Sequence, residues 1–289
     1  MACLIKKKNI SLPKCFLKPG LFTELIETPK SFKIAAADLD DPAAVKTAFQ
    51  NALLAGEASR IYLYPRFYNT ENQTEAQVRA QTPLGTSFVR NGKYRFLHQM
   101  DIDITTHTAI ATHRSTDGRV FYRDNEGNVW GTTLSNGDFA GFSFSLLSPE
   151  NMTPTDGTNP TLSGVFVELA SPKEWNENGA ALEGAFVDEL NRLADAEIAT
   201  VGALSATDIV VKVTTAQDDV SIEGLLPADF DLRDAAGVAQ AITGAPYDAT
   251  TETYNLEGAA FVDGTLALKA PSTTTKPYET LAPITINIP

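Results

Sequence analysis

Apolar and polar residues alternate over short stretches along most of the chain, and turn-forming residues punctuate them. This is the signature of half-buried β-strands. Ile61–Tyr64 (IYLY) reads as a strand ended by Pro65. Tyr94–Ile110 reads as one long extended run. Arg119–Arg123 and Asn128–Thr132 flank Asp124-Asn125-Glu126-Gly127, a tight hairpin signal. Phe139–Leu147 and the β-branched Gly164–Leu169 follow as further strands. The 3.6-residue period of a helix surfaces twice. Val45, Ala48, Phe49, Ala52 and Leu53 form one apolar stripe behind Asp40-Asp41-Pro42, an acidic N-cap with an early proline, and the helix stops at Gly56. Phe186, Leu190 and Leu193 suggest a second helix over about Ala181–Ala194. Residues 1–195 therefore read as α+β.

The rest reads as all-β. Asp208–Val213, Ile222–Leu225, Ala228–Leu232, Val238–Ile242, Thr253–Leu256, Thr265–Leu268 and Ile284–Ile288 are short strands separated by Ala236-Gly237, Glu257-Gly258, Asp263-Gly264 and Ala270-Pro271. Such spacing predicts an Ig-like β-sandwich, without the cysteine pair and core tryptophan of antibody domains.

Charge sharpens this division. The 289 residues carry a net charge of −13, and residues 196–289 hold thirteen acids against four bases, a balance of −9. Residues 1–195 hold 23 acids and 19 bases, a balance of −4, with all the histidines, cysteines and tryptophans. Two compositions predict two domains, 1–200 and 201–289. An acidic chain is a poor ligand for duplex nucleic acid or an anionic membrane. The start, MACLIKKKNISLPKCFLKPG, lacks the apolar run of a secretory signal, and no stretch approaches ~18 apolar residues. A cytoplasmic site of synthesis is expected, with Cys3 and Cys15 as free thiols and Lys6–Lys8 as a solvated arm.

Candidate chemistry is sparse. His98, His107 and His113 lie near Asp101 and Asp103, and Asp101, Asp103, Thr105, His107 and His113 share one parity on an extended strand. At ~3.3 Å per residue they spread too far for one ion, so a polar strand face is the expectation. Asp124-Asn125-Glu126-Gly127-Asn128 lacks the spacing of a calcium loop. Ser143 and Ser145 in GFSFS are not a nucleophile elbow, and no phosphate-binding glycine loop occurs. No cofactor, metal or catalytic residue is expected. Arg114, Arg119 and Arg123 with Phe121 and Tyr122 form a basic-aromatic patch, and Arg66 sits among Tyr62, Tyr64, Phe67 and Tyr68. Arginine and aromatics favour protein interfaces. Arg66, Tyr68, Arg114, Arg119, Tyr122 and Trp130 are the interface candidates.

His113–Gly131 (HRSTDGRVFYRDNEGNVWG), Asn136–Leu147 (NGDFAGFSFSLL) and Asn151–Gly157 (NMTPTDG) resemble structural proteins of tailed-bacteriophage virions, and the order of parts resembles two-domain major tail proteins. The resemblance implies a tube-type β-sandwich or barrel with flanking helices, followed by a C-terminal Ig-like domain. It implies a non-enzymatic tail-tube subunit that stacks in homo-oligomeric rings, with other virion proteins as partners and DNA only as passing cargo. On that reading Met1–Gly20 and Asn69–Gly92 are segments that order on stacking. Asp101, Asp103, Asp117 and Asp124 are the candidates for an acidic lumen wall, where like charge keeps DNA from sticking. A head protein, capsid or decoration, and a carbohydrate-binding or adhesion module are the alternatives.

Overall fold

The computed structural model describes residues 18–83, 85–155, 161–274 and 276–289; Cys3, Cys15 and Lys6–Lys8 fall outside them. Strands hold 41% of the chain and helices 15%, so the protein is mainly β, with several antiparallel sheets and few short helices. Among the described residues no helix is long and apolar enough to cross a membrane. Two compact units divide the chain, one of Met1–Ala52 with Glu57–Leu190 and one of Leu53–Gly56 with Asn191–Pro289.

In the first unit the elements run β1 (Phe22–Thr28), α1 (Pro42–Leu53), β2 (Tyr62–Leu63), β3 (Asn69–Asn72), β4 (Val78–Thr82), β5 (Gly85–Arg90), β6 (Arg95–Met100), α2 (Ile104–Ala111), β7 (Gly118–Asp124), β8 (Asn128–Thr133), β9 (Phe139–Ala140), β10 (Phe142–Pro149), β11 (Ser163–Leu169), α3 (Pro172–Asn176) and β12 (Gly179–Glu183). Ten strands form one sheet along the path β12-β8-β7-β10-β11-β6-β3, with β1 on the other edge of β7. The path curls back on itself. Phe67 N donates to Thr23 O at 2.7 Å, and Thr70 Oγ1 donates to Phe22 O at 3.3 Å, which brings the β3 end against β1.

Strict alternation on β6 sends Phe96, His98 and Met100 into the space so enclosed, where Phe22, Tyr122, Phe142, Leu147, Val165 and Val167 meet them. β7 is buried on both faces. On its second face Phe121 packs against Phe49 of α1 and Phe139, with ring centroids 5.5 and 5.3 Å apart. α1 begins where expected: Asp41 Oδ1 accepts from Ala43 N and Ala44 N. Val45, Phe49 and Leu53 of the anticipated stripe are buried.

In three places the structure departs from the sequence reading. The extended run from Tyr94 stops at Met100, because Asp103 caps α2 by accepting from Thr105 N and Thr106 N at 2.7 and 2.9 Å. The helix expected over Ala181–Ala194 is instead β12 followed by a single 3₁₀ turn, Ala185–Glu189. Ala180, Ala181 and Leu182 pair with Gly131, Trp130 and Val129 of β8. A Cβ on Gly184 would collide with the Gly127 carbonyl oxygen, so this strand end lies close against the β7–β8 turn. Strand β1, absent from the sequence reading, is the third.

The second unit holds β13 (Ala194–Thr200), β14 (Asp208–Thr215), β15 (Phe230–Asp234), β16 (Tyr247–Asp248), β17 (Thr253–Glu257), β18 (Gly264–Leu268), α4 (Pro271–Thr274), β19 (Tyr278–Thr280) and β20 (Ile284–Ile286). They make a five-stranded sheet, β16-β17-β14-β13-β19, and a three-stranded sheet, β15-β18-β20. One core serves both: Ile209, Val211, Val213 and Leu256 from the first, Phe230, Leu232, Leu266 and Ile286 from the second. The unit begins at Asn191 rather than residue 201, because β13 pairs with β14 and, in parallel, with β19. Of the anticipated strands, Ile222–Leu225 and Val238–Ile242 are irregular segments with isolated bridges beside them. The buried Tyr254 hydroxyl ties the first of these down, donating to Ile222 O at 2.9 Å and accepting from Leu225 N at 3.1 Å.

Two substitutions test this packing. Leu147→Ala empties a fully enclosed site and should cost about 2–5 kcal/mol by urea denaturation. Tyr254→Phe strands a buried amide and should cost about 1–3 kcal/mol in the second unit.

Candidate functional site

Between β3 and β6 the chain leaves the ten-stranded sheet and forms a separate two-stranded ribbon, β4–β5. Its register pairs Val78 with Arg90, Arg79 with Phe88, Ala80 with Ser87 and Gln81 with Thr86. Val89 is the extra residue of a bulge between the first two pairs. Period-two alternation therefore puts Val78, Ala80, Ser87 and Arg90 on one face and Arg79, Gln81, Thr86 and Phe88 on the other. Neither face is covered. Every residue of β5 is exposed, Phe88 to 59% and Val89 to 55%. Residues 76–92 contain no acid, and Arg79 and Arg90 are their only charges. A lone two-stranded ribbon is marginally stable in water, since neither face has a layer to pack on.

The base of the ribbon is firmly tied. Glu75 N donates to Lys93 O and Gln73 N to Arg95 O, both at 2.9 Å. Ion pairs continue from there: Arg90 and Arg95 to Glu75 at 3.3 and 2.7 Å, Arg95 and Lys93 to Glu168 of β11 at 2.7 and 2.6 Å. Burial pushes the Glu168 carboxyl up, but hydrogen bonds from Lys93, Ser145 and Arg95 outweigh it and hold its pKa near 2. Burial opposes the shift at Glu75 as well, and its bonds to Arg90 and Lys93 bring it below the ordinary value. Gly92 makes the geometry possible, for a Cβ there would collide with the Glu75 carbonyl oxygen. The result is a projecting arm with a rigid, charge-paired root and unpartnered apolar side chains.

The residues singled out in the sequence divide by burial. Asp101, Asp103 and Asp117 are exposed; Asp103 also caps α2, whose backbone bonds to Thr106 lower its pKa, and Asp117 pairs with Lys30. Asp124 cannot line a wall. It is buried, accepting from Trp130 Nε1 at 2.7 Å and from the amides of Glu126 and Asn128 at 3.0 and 2.8 Å. Burial raises its pKa, and the bonds from Trp130 and Asn128 more than reverse that. Among the interface candidates, Arg66, Tyr68 and Arg114 are exposed, and Arg66 pairs with Glu24 and Asp188. Tyr122 and Trp130 are core residues: β7 is covered on both faces, and Trp130 lies in the buried middle of β8. Arg119 is turned inward, donating to Gly141 O at 2.6 Å and Glu174 at 3.4 Å. Arg123 is buried in a pair with Glu24 at 3.0 Å and a second with Asp188, and these partners raise its pKa further.

The histidines do not share a face, because α2 turns the chain between them. His98 is buried, stacked on Phe67 with centroids 4.2 Å apart. His107 Nδ1 meets Ser163 Oγ at 2.8 Å, and His113 Nδ1 meets Glu27 at 3.2 Å. Among the described residues no group of three His, Cys, Asp or Glu is placed to hold a metal. Ser143 and Ser145 donate to Glu174 and Glu168, both at 2.8 Å. What sequence reasoning missed is the ribbon as an element. Its signal was there in V-R-A-Q-T and T-S-F-V-R around Pro83, but so polar a pair of strands has no buried face to announce it. No protein-family model matches the chain, and no curated protein matches it in sequence.

His98 gives a pH test. Burial lowers its pKa from 6.5 to about 3, so the folded unit holds it neutral. Its stabilising contribution is complete above the unfolded value and is lost as pH falls toward the folded one. Between about pH 7.5 and pH 5.5 the unfolding free energy should begin to fall, at up to about 1.4 kcal/mol per pH unit, and His98→Phe should flatten that slope.

Proposed function

We propose that the chain is a non-enzymatic structural subunit of a tailed-phage virion, the major tail-tube protein, which assembles into stacked homo-oligomeric rings around a DNA conduit. The observation that carries this reading is the β4–β5 ribbon. It exposes Phe88, Val89 and Val78 on strands that nothing in the described chain covers. A ribbon of that kind gains its missing layer from a neighbour. Tying its root through Glu75 and Glu168 sets its direction, as a stacking element requires.

The two units fit the same reading. The curled ten-stranded sheet around one core, with α1 on its outer face, is the tube-type barrel with a flanking helix. In the second unit β16-β17-β14-β13 follow the D-E-B-A order of an Ig-type sandwich and β15-β18-β20 its C-F-G order. That unit carries most of the acidic excess and serves as the outward decoration. Asp101, Asp103 and Asp117 are the lumen acids of this reading, and Arg66, Tyr68 and Arg114 its lateral contacts. The subunit is made in the host cytoplasm and resides in the tail, where DNA passes without being read.

Electron microscopy of the purified protein and of virions tests the proposal. Rings or tubes, and the chain in the tail, are expected. Phe88→Asp should weaken assembly by about tenfold or more while changing monomer stability by no more than about 0.5 kcal/mol, as surface substitutions do. A stable wild-type monomer absent from the tail, or the chain found in the head, overturns it.

A further inference from the structure

We infer that the β4–β5 ribbon of one copy docks in a specific apolar groove on the first unit of the next copy, between the start of α1 and the β12 strand end. This rests on the self-assembling reading above and names the acceptor that reading leaves open. The groove has a volume of about 250 Å³ and is lined by Leu39, Pro42, Val45, Leu182, Ala185 and Phe186. That is smaller than the ~300–1,000 Å³ of ordinary small-molecule pockets, and suits one or two apolar side chains. Its floor is made by Leu39, Val45, Leu182 and Phe186, all buried, while Pro42 and Ala185 form an exposed lip.

Charge selects the occupant. The exposed acids Asp38, Asp40 and Asp41 lead into α1 beside Leu39 and Pro42, and Glu183 stands on the opposite wall. The ribbon brings Phe88 with Arg79 on one face and Val78 with Arg90 on the other, and no acid. Phe88 lies directly across from Arg79, so the side chain that fills the groove arrives with a cation that meets its rim. Basic and apolar groups interleaved on the ribbon thus match acidic and apolar groups interleaved at the groove. Because ribbon and groove are different surfaces of one chain, the contact is heterologous: each copy gives one and receives one, so that copies propagate head to tail.

A complementation experiment tests this on the full chain. Phe88→Asp disables the ribbon and leaves the groove, and Ala185→Arg blocks the groove and leaves the ribbon. Both sites are exposed, and circular dichroism confirms that each variant folds. By sedimentation velocity each variant alone should self-associate about tenfold or more weakly than wild type, the loss expected of an interface anchor. Mixed in equal amounts they should pair one to one through the remaining ribbon and groove and extend no further through that contact, since one partner keeps only a groove and the other only a ribbon. Val262→Arg, at a second apolar hollow in the other unit lined by Phe261, Asp263 and Ile288, should associate as wild type does. If wild type assembles but the mixture yields no heterodimer, or if Val262→Arg blocks assembly and Ala185→Arg does not, this acceptor site is overturned and the assembly reading stands. If wild type stays monomeric at every concentration, both are overturned.

Discussion

Strand β1 is the piece on which the first unit depends. It fills one whole edge of β7, from the Phe22–Asp124 pair to the Thr28–Arg119 pair, and receives the amide of Phe67 from the far end of the sheet path. Buried backbone groups must find partners. Without β1, both β7 and the β3 end would present unpaired amides to the core. Side chains reinforce the join. Glu24 of β1 is buried against Arg123 of β7, and the same Arg123 reaches Asp188 in the 3₁₀ turn after β12. One guanidinium therefore ties together the first strand, a central strand and the last segment of the unit. The other β7 edge is shared, β10 along Gly118–Val120 and β8 along Tyr122–Arg123. That sharing lets the sheet continue both into the curl and out toward β12.

How much of this could be read from the chain depends on whether local and tertiary demands agree. The β7–β8 hairpin was legible because Asp124-Asn125-Glu126-Gly127 is turn chemistry in its own right, and the same Asp124 closes the turn by accepting from Glu126 and Asn128. α1 was legible because its cap, stripe and stop agree. β12 was not. Ala180, Ala181 and Leu182 are good helix formers, and only pairing with β8 makes them a strand. β1 escaped notice because Glu24 and Glu27 break its alternation, and those acids have buried or half-buried partners that a sequence does not display. The candidate site was half legible: Asn69–Gly92 was expected to order on stacking, while its form as an uncovered ribbon needed the register.

The two units resolve charge differently. In the first, acids are largely spent on partners: Glu24 with Arg123 and Arg66, Glu168 with Lys93 and Arg95, Asp117 with Lys30. In the second, five bases serve fourteen acids. Many of those acids answer backbone amides instead, as Asp234 does for Ala236 and Val238, and Asp263 for Ile288. Turns held that way need no cation. An excess of negative charge is thereby compatible with a well-formed fold, and it keeps copies of that unit apart.

The uncovered ribbon bears on rates if copies associate through it as proposed. A strand pair with no layer on either face is marginally ordered until something packs on it, so each docking would have to supply the ordering as well as the contact. Every copy added would meet that cost once, at the first step and at each later one alike. Productive encounters would then be rarer than for a preformed surface, and association slower than the charges alone allow.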